Sequence, residues 1–345
     1  MGTYDPNSAA GLRFHDAVAA FQSGEDTPRA YLERCLAAIA AREPVVKAYA
    51  ALNEDSARAA ADDASARYKD GRALSAIDGM PISIKDLLET RDMPTQMGCE
   101  AYIGHFPKND NAAVWALRQA GAVVLGKTVT AELGGTHPGP TTNPFNPDRT
   151  PGGSSSGSAA AVAAGMVPCA IGTQVGGSII RPAAFCGNVA LKPTQGGINR
   201  GERQATSMST HGVHANCIED MWQTAIEIAK RAGGDRGCPG LYGPDVPPAP
   251  VKPERLIVLE TAGWEILDDT SKTAFEGVLE GLRKSGVTLL RRADHVLVEA
   301  LEQAIAEAVA ICAAITRWEN RWGHRNLVEQ KGEFVSDRLK AGLKL

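Results

Sequence analysis

The sequence predicts an α/β protein in which a mixed central β-sheet is covered by helices on both faces. Segments in which apolar residues alternate, as in strands, are interleaved along the chain with segments of helical periodicity. The composition agrees, because 43% of the 345 residues are hydrophobic and 22% are charged, as in a globular protein with a large core. Alternating strands and helices favour an architecture in which the helices cover the faces of the sheet.

The first part of the chain, residues 1–75, is predicted to be helical. Thr27-Pro28 places a capping residue before proline at the first helical position, and it opens a helix over 30–41. A second, alanine-rich helix is predicted over 55–69, and it ends near Gly71.

The middle part, about 76–235, is predicted to form the catalytic core. Its predicted elements are a strand over 80–85, a capped helix over 111–119, a short buried strand over 122–125, a loop over 138–157, a helix over 158–164, a strand over 169–173 and a glycine turn over 176–178. The strand over 80–85 ends on a lysine, Lys85, and the loop is rich in Gly, Pro, Ser, Thr and Asn.

The last part, 254–345, is predicted to be α/β and follows a connector rich in proline and glycine over 236–253. It contains a predicted strand over 255–259, a helix over 270–284, a strand over 287–290 and a long helix over 298–318. Residues 340–345 form an amphipathic stretch with no stop signal, so we expect an incomplete or truncated chain. We expect all three parts to form one domain, 1–345.

Charge and hydropathy exclude several classes of function. The net charge of −4 gives no bulk attraction for nucleic acid or anionic lipid. The longest mostly apolar run, over 158–171, is too short to span a bilayer, and the N-terminus carries no secretory signal. We therefore expect a cytoplasmic protein that binds neither nucleic acid nor membrane.

The cysteines and histidines do not indicate a disulfide framework or a metal site. The seven cysteines are scattered, odd in number and never spaced as CxxC, which favours reduced thiols in the core. His211-Gly-Val-His214 is the nearest approach to a ligand cluster, and without a third ligand we interpret both histidines as structural. We expect no metal and no organic cofactor.

Two motif matches fail on their predicted structural context. Gly153–Gly157 fits GxSxG, the nucleophile elbow, but no strand precedes it. Gly121–Thr128 fits GxxxxGK[ST], the phosphate-binding loop, but a helix precedes it and its central residues are an apolar run. We interpret this second stretch as a helix end that leads into a core strand.

Lys85 and Ser178 are candidates for nucleophilic chemistry. A serine hydroxyl needs a base to take its proton, and a lysine can be that base if burial keeps it neutral. The alternative for Lys85 is an edge lysine with its amine in solvent. Ser178 follows Gly176-Gly177, where backbone N–H groups can converge to form an oxyanion hole. The alternative for these glycines is a plain turn.

Four stretches, in this order and spacing, resemble the amidase signature family. They are DGMPISIKD over 78–86, GKT over 126–128, NPFNPDRTPGGSSSGSAAAVAAG over 143–165 and GTQVGGSIIRPA over 172–183. The resemblance implies the amidase signature fold and a Ser–cis-Ser–Lys triad. Lys85 is then the base, Ser154 the relay on a cis peptide bond and Ser178 the nucleophile.

The resemblance also implies the residues around the triad. The backbone N–H groups of Val175, Gly176, Gly177 and Ser178 would form the oxyanion hole, and Ser155 would support the relay by hydrogen bonding. The candidate substrate-binding residues are Thr173, Gln174 and Arg181. Arg181 is the third residue after Ser178, a spacing that resembles the malonamidase branch, in which the corresponding arginine holds the substrate's carboxylate. An ion pair with a structural carboxylate is the alternative for Arg181.

The expected activity is hydrolysis of a small carboxamide to a carboxylate and ammonia through an acyl-enzyme on Ser178. The expected substrate bears a carboxylate, as malonamate does. One alternative is a glutaminase subunit of a tRNA-dependent amidotransferase, which works with partner subunits. The other is an inactive, C-terminally truncated amidase, since in the family the following segment completes the fold. A homodimer is left open by the sequence.

Overall fold

A six-stranded mixed sheet forms the centre of the fold. A computed structural model describes residue 5 and residues 11–135, 137–201 and 206–343. The strands of the central sheet are β1 (Tyr49–Leu52), β2 (Pro81–Lys85), β3 (Val123–Thr128), β4 (Cys169–Gln174), β5 (Val189–Leu191) and β6 (Thr210–Ala215). Their order is β1-β3-β2-β4-β6-β5. The three central strands β3, β2 and β4 are parallel, whereas β1 pairs antiparallel with β3 and β6 antiparallel with β4 and β5.

Helices lie between the strands in the sequence, as the periodicity predicts. They are α1 (Val18–Ser23), α2 (Pro28–Val46), α3 (Glu54–Lys69), α4 (Ala112–Gln119), α5 (Ser156–Ala163), α6 (Ile180–Cys186), α7 (Ile218–Ala232), α8 (Ala262–Glu265), α9 (Asp269–Lys284), α10 (Val296–Ile305), α11 (Ala308–Lys331) and α12 (Asp337–Gly342). Short 3₁₀ turns occupy His15–Ala17, Glu100–Tyr102, Glu132–Gly134 and Gly332–Phe334. Thr27 caps α2 through its side chain, and Pro28 is the first helical residue.

The sheet has a separate hydrophobic core on each face. One core packs α4 and α7 against side chains such as Ile84, Val124 and Ile171. The other packs α2, α3 and α5 against the alternate side chains of the same strands, such as Val123 and Leu125. Helices therefore cover both faces of a mixed sheet, and the predicted fold class is confirmed.

The structure corrects three details of the predicted elements. The N-terminal part is not wholly helical, because Tyr49–Leu52 forms the edge strand β1, and its alanines have a weak strand preference that hid it. Helix α6 was not predicted, since it contains Pro182 and follows directly on the glycine turn. The helix predicted over 298–318 is two helices, α10 and α11, and their junction at Ala306 carries no glycine or proline to mark it.

Contacts between residues divide the chain into two compact units. One comprises Met1–Pro247 with Trp318–Leu345, and the other comprises Pro248–Arg317. The second unit contains a two-stranded parallel sheet of β7 (Arg255–Ile257) and β8 (Thr288–Leu290). The description of 1–345 as one amidase domain stays a prediction. Within the described ranges, no helix is long and apolar enough to cross a membrane.

Candidate active site

The three residues of the predicted triad lie in or next to the carboxyl ends of two neighbouring strands. Strands β2 and β4 are parallel, with Ile84 opposite Ile171, so their ends meet at one edge of the sheet. Strand β2 ends at Lys85, and Ser178 follows four residues after the end of β4. Ser154 stands two residues before α5, which packs against both strands. Clefts at this edge are the usual binding sites of open α/β sheets.

Lys85 is fully buried, and the hydrogen-bonding atoms that its amine contacts in the described part of the chain are uncharged oxygens. Its Nζ lies 2.8 Å from Ser154 Oγ, 2.9 Å from Thr173 Oγ1 and 3.3 Å from Thr173 O, all within hydrogen-bond distance. No carboxylate of the described residues forms an ion pair with it, in contrast to buried Lys127. Burial without a counter-charge lowers the pKa of Lys85 well below the usual value of a lysine.

Two adjacent serines connect Lys85 to the glycine turn. The peptide bond between Gly153 and Ser154 is cis. The Ser155 hydroxyl donates to Thr173 O at 3.2 Å and accepts from the Thr173 N–H at 3.3 Å. The Ser155 N–H donates to Ser178 O at 3.2 Å. Both serines are buried, so this stretch is an ordered part of the core and not a flexible linker.

The turn before Ser178 presents unused donors. Within the described part of the chain, the backbone N–H groups of Val175, Gly176, Gly177 and Ser178 donate to no protein acceptor. The Ser178 hydroxyl likewise has no hydrogen-bond partner among the described residues, and the residue is 8% exposed. Gly177 has φ of 110°, which a residue with a side chain rarely adopts. The turn can therefore offer a nucleophile and several N–H donors to one ligand.

Gln174 and Thr173, both predicted to bind substrate, contact protein groups instead. The Gln174 Oε1 accepts from the N–H groups of Ile179 at 2.8 Å and Ile180 at 3.0 Å, so it holds the turn against the start of α6. Thr173 accepts from Lys85 through both its hydroxyl and its carbonyl. These contacts position the turn and the lysine, and the substrate-binding role of the two residues stays a prediction.

Arg181 projects from the first turn of α6 with a largely unused guanidinium. Its Nε donates to Gly153 O at 3.0 Å. Its guanidinium carbon lies 3.6 Å from the point that a Cβ on Gly177 would occupy. Arg181 makes no ion pair with a carboxylate of the described residues, and it is exposed. The guanidinium therefore has donors free on the side of the glycine turn.

A buried ion pair beside Lys85 was missed as part of the site. Lys127 Nζ lies 3.0 Å from Asp86 Oδ1, and it also donates to Thr95 Oγ1 at 2.7 Å. The interpretation of 121–128 as a helix end and core strand is confirmed, since Lys127 is in β3 and fully buried. Burial raises the pKa of Asp86 and lowers that of Lys127, while each charge opposes the change in the other. The sequence did carry one signal for this pair, because Asp86 directly follows Lys85.

The two histidines of the HGVH motif lie in β6, next to β4. His211 stands opposite Thr173 and His214 opposite Ala170. Both are buried, and desolvation lowers the pKa of His211 to about 4 and that of His214 to about 3. Among the described residues, no group of three His, Cys, Asp or Glu side chains is placed to hold a metal ion.

The fold and the site geometry agree with the family assignment from comparison with known proteins. Residues 30–343 match the protein family described as Amidase, and the chain belongs to that family. Among solved structures, a crystal structure of an amidase has a TM-score of 0.80 and 27% identity over 97% of this chain and 74% of its own. The native peptide amidase from Stenotrophomonas maltophilia has a TM-score of 0.68 and 30% identity over 82% and 62%.

Curated relatives carry the name of an amidotransferase component. One glutamyl-tRNA(Gln) amidotransferase subunit, from Chloroflexus aurantiacus, is 45% identical over 190 residues, which are 53% of this chain and 39% of that protein. The protein of the same name from Chloroflexus aggregans is 37% identical over 287 residues, which are 80% and 58% of the two chains. The chain thus spans about two-fifths to three-fifths of the length of these relatives.

Proposed function

We propose that the chain is an amidohydrolase that cleaves a small carboxamide through an acyl-enzyme on Ser178. The observation that carries the proposal is the environment of Lys85, which is buried, has no counter-charge among the described residues and lies 2.8 Å from Ser154 Oγ. A lysine kept neutral in this way is a base, whereas a lysine beside a carboxylate is an ammonium ion.

The three contacts of Lys85 fit a neutral amine. A neutral amine has two N–H donors and one lone pair, whereas an ammonium ion has three donors and no acceptor. Thr173 O can only accept, and Thr173 Oγ1, at 2.9 Å, can accept as well, so these two oxygens can take the two donors. The lone pair is then left for the Ser154 hydroxyl, which can donate its proton to Lys85.

In the proposed reaction, the Ser178 oxygen attacks the amide carbon while its proton passes through Ser154 to Lys85. The free N–H groups at 175–178 stabilise the negative oxygen of the tetrahedral intermediate. The C–N bond then breaks, and the proton returns along the same path to the leaving nitrogen, which departs as ammonia. Water then attacks the acyl carbon, and its proton passes along the same path. The bond to Ser178 breaks, which releases the carboxylic acid and returns a proton to the Ser178 oxygen.

The first test compares Ser178→Ala with Ser155→Ala. A fluorophosphonate should label wild-type protein at Ser178, and Ser178→Ala should lose both labelling and amide hydrolysis without a change in its thermal unfolding. Ser155→Ala should keep measurable labelling. Full activity in Ser178→Ala together with its loss in Ser155→Ala would contradict the assignment and favour the serine of the GxSxG match.

We propose that the substrate carries a carboxylate, as malonamate does, and that Arg181 binds it. The support is the guanidinium of Arg181 beside the glycine turn, which has no carboxylate partner among the described residues, because an arginine fork binds carboxylates through two hydrogen bonds. Arg181→Ala should raise KM for malonamate about tenfold or more and leave the KM of neutral amides unchanged. An equal rise for both kinds of amide would exclude this role.

A glutaminase subunit of a tRNA-dependent amidotransferase is the second candidate, and the names of the curated relatives favour it. An amide panel of malonamate, glutamine, aryl, aliphatic and indoleacetamide-like amides separates the two. Glutamine hydrolysis that depends on tRNA and on a co-purifying partner would favour the second candidate. No hydrolysis and no labelling at Ser178 would favour the inactive alternative. A homodimer and a cytoplasmic location stay predictions.

A further inference from the structure

His214 lies beside the proposed proton path, yet the proposed mechanism does not use it. It is fully buried in β6, on the sheet face that carries Gly172. Within the described part of the chain, neither ring nitrogen of His214 has a hydrogen-bond partner. An unpaired imidazole in a core costs stability, so a side chain of similar size without polar atoms would be the better choice for packing alone.

The bare Cα of Gly172 brings this ring close to Ser155. A Cβ on Gly172 would lie 2.9 Å from Ser155 Oγ and 3.0 Å from His214 Nε2. The hydroxyl and the ring nitrogen therefore lie within about 3 Å of the same point over Gly172, with no hydrogen bond between them, and a side chain at 172 would occupy that point. Ser155 in turn donates its N–H to the carbonyl of Ser178.

The Ser155 hydroxyl and Lys85 share one acceptor. Thr173 O accepts from Ser155 Oγ at 3.2 Å and from Lys85 Nζ at 3.3 Å, and both distances are long. When Lys85 holds the relayed proton, it has three donors, and its charged hydrogen bonds shorten and strengthen. Ser155 then benefits from a second acceptor, and a neutral His214 nitrogen can supply one.

We infer that His214 is a positioning residue that acts through Ser155. A ring nitrogen of His214 accepts a hydrogen bond from the Ser155 hydroxyl while Lys85 is protonated. This inference rests on the proposed function, because it requires Lys85 to be the base. Burial, and then the nearby Lys85, lower the pKa of His214 to about 3, so the ring is neutral and able to accept at physiological pH.

The test compares His214→Leu, which removes the nitrogens, with His214→Gln, whose amide reaches the place of Nε2. His214→Leu should lower kcat about tenfold with KM unchanged, and its Tm should stay equal or rise, since a buried unpaired polar group is lost. His214→Gln should recover most of kcat. Gln223→Leu is the matched control, because Gln223 Oε1 is also buried and has no partner among the described residues but lies in α7, and the kcat of this variant should not change.

A double-mutant cycle with Ser155→Ala decides whether His214 acts through Ser155. The double variant should be no slower than the slower single variant, whereas two independent losses would multiply. Multiplying losses, or wild-type kcat in His214→Leu, would overturn the inference. Fluorophosphonate labelling distinguishes a failure of the inference on His214 from a failure of the proposed function. Unlabelled wild type overturns both, while full-rate labelling and turnover in His214→Leu overturn only the role of His214.

Discussion

Two lysines at the carboxyl edge of the sheet are fully buried, and they differ in their partners. Lys127 faces the carboxylate of Asp86, whereas the described partners of Lys85 are hydroxyl and carbonyl oxygens. Burial opposes the charged form of both lysines, but among the described residues an opposite charge in contact offsets it for Lys127 alone. The same residue type is thus an ion-pair partner at one position and a candidate base at the other.

The lowered pKa of Lys85 makes the reaction depend on pH in a stated direction. The neutral amine is the base, so kcat/KM should rise with pH through the folded-state pKa of Lys85, which lies well below 10.5. A pH profile of kcat/KM on a neutral amide measures where this rise occurs. An activity that climbs only above the ordinary lysine pKa would contradict a neutral Lys85.

The same burial predicts a stability change in Lys85→Met. The unfolded chain binds a proton below 10.5 while the folded chain does not, so wild type loses stability as pH falls from 10.5 to the folded pKa. Lys85→Met has no such loss, and it should be the more stable protein at neutral pH, with the difference shrinking toward about pH 10. Urea unfolding of both proteins at neutral pH and at about pH 10 measures this difference in stability. The variant should be inactive at both pH values.

At the scale of elements, the site depends on how closely α5 approaches the sheet. Gly157 N donates to Val129 O at 2.9 Å, and a Cβ on Gly157 would lie 2.3 Å from Ala48 O. The buried face of α5 is made of small residues, Ala159 to Ala161 among them, which permits this approach. Ser154 and Ser155 precede α5 directly, so the seating of this helix fixes where they lie.

The buried pair of Lys127 and Asp86 joins the ends of β3 and β2, and breaking it should be costly. Lys127→Met leaves Asp86 buried and unpaired, so the free energy of unfolding should fall by about 3–5 kcal/mol. Adding Asp86→Asn should recover part of this, because an amide oxygen can still accept from the Gln96 N–H. Arg72→Ala is the control, since its pair with Asp70 is exposed and should contribute about 0–1 kcal/mol. Equal losses of unfolding free energy in Lys127→Met and Arg72→Ala would contradict the argument that the buried pair is costly to break.

Element boundaries show what local signals can and cannot predict. Capping residues such as Thr27 and Asn111 marked helix starts to within one or two residues, because their side chains accept hydrogen bonds from the first turn. Helix α6 was missed because its sequence alone has no helical signal. It is held by Gln174, whose side chain accepts from two N–H groups at its start. That contact depends on the path of the turn between them.

At the scale of the whole molecule, the thiols are free and mostly buried, in agreement with the prediction of reduced core cysteines. All seven are free, five of them buried, while Cys238 is exposed and Cys312 is half-buried. Burial raises the pKa of Cys35 and Cys186 to about 12, so these thiols are neither accessible nor ionised at neutral pH.

Thiol titration of the native protein should therefore show one fast-reacting group, Cys238, and a slower one, Cys312. After denaturation without reductant, all seven should react. Cys238→Ser should remove the fast phase alone. Five or fewer reactive thiols in the denatured protein would show that disulfides had formed.

By itself, the sequence determined the α/β class, the position of most strands and helices, and the stretches that place the chain among the amidases. These follow from periodicity, capping and glycine turns, which act over a few residues. The tertiary structure alone decided which side chains have partners. Among the described residues, it gave Lys127 a carboxylate partner and left Lys85 and Arg181 without one, and it placed His214 and Ser155 around the bare Cα of Gly172. Burial and charge pairing depend on contacts between residues far apart in the chain, which no local pattern records.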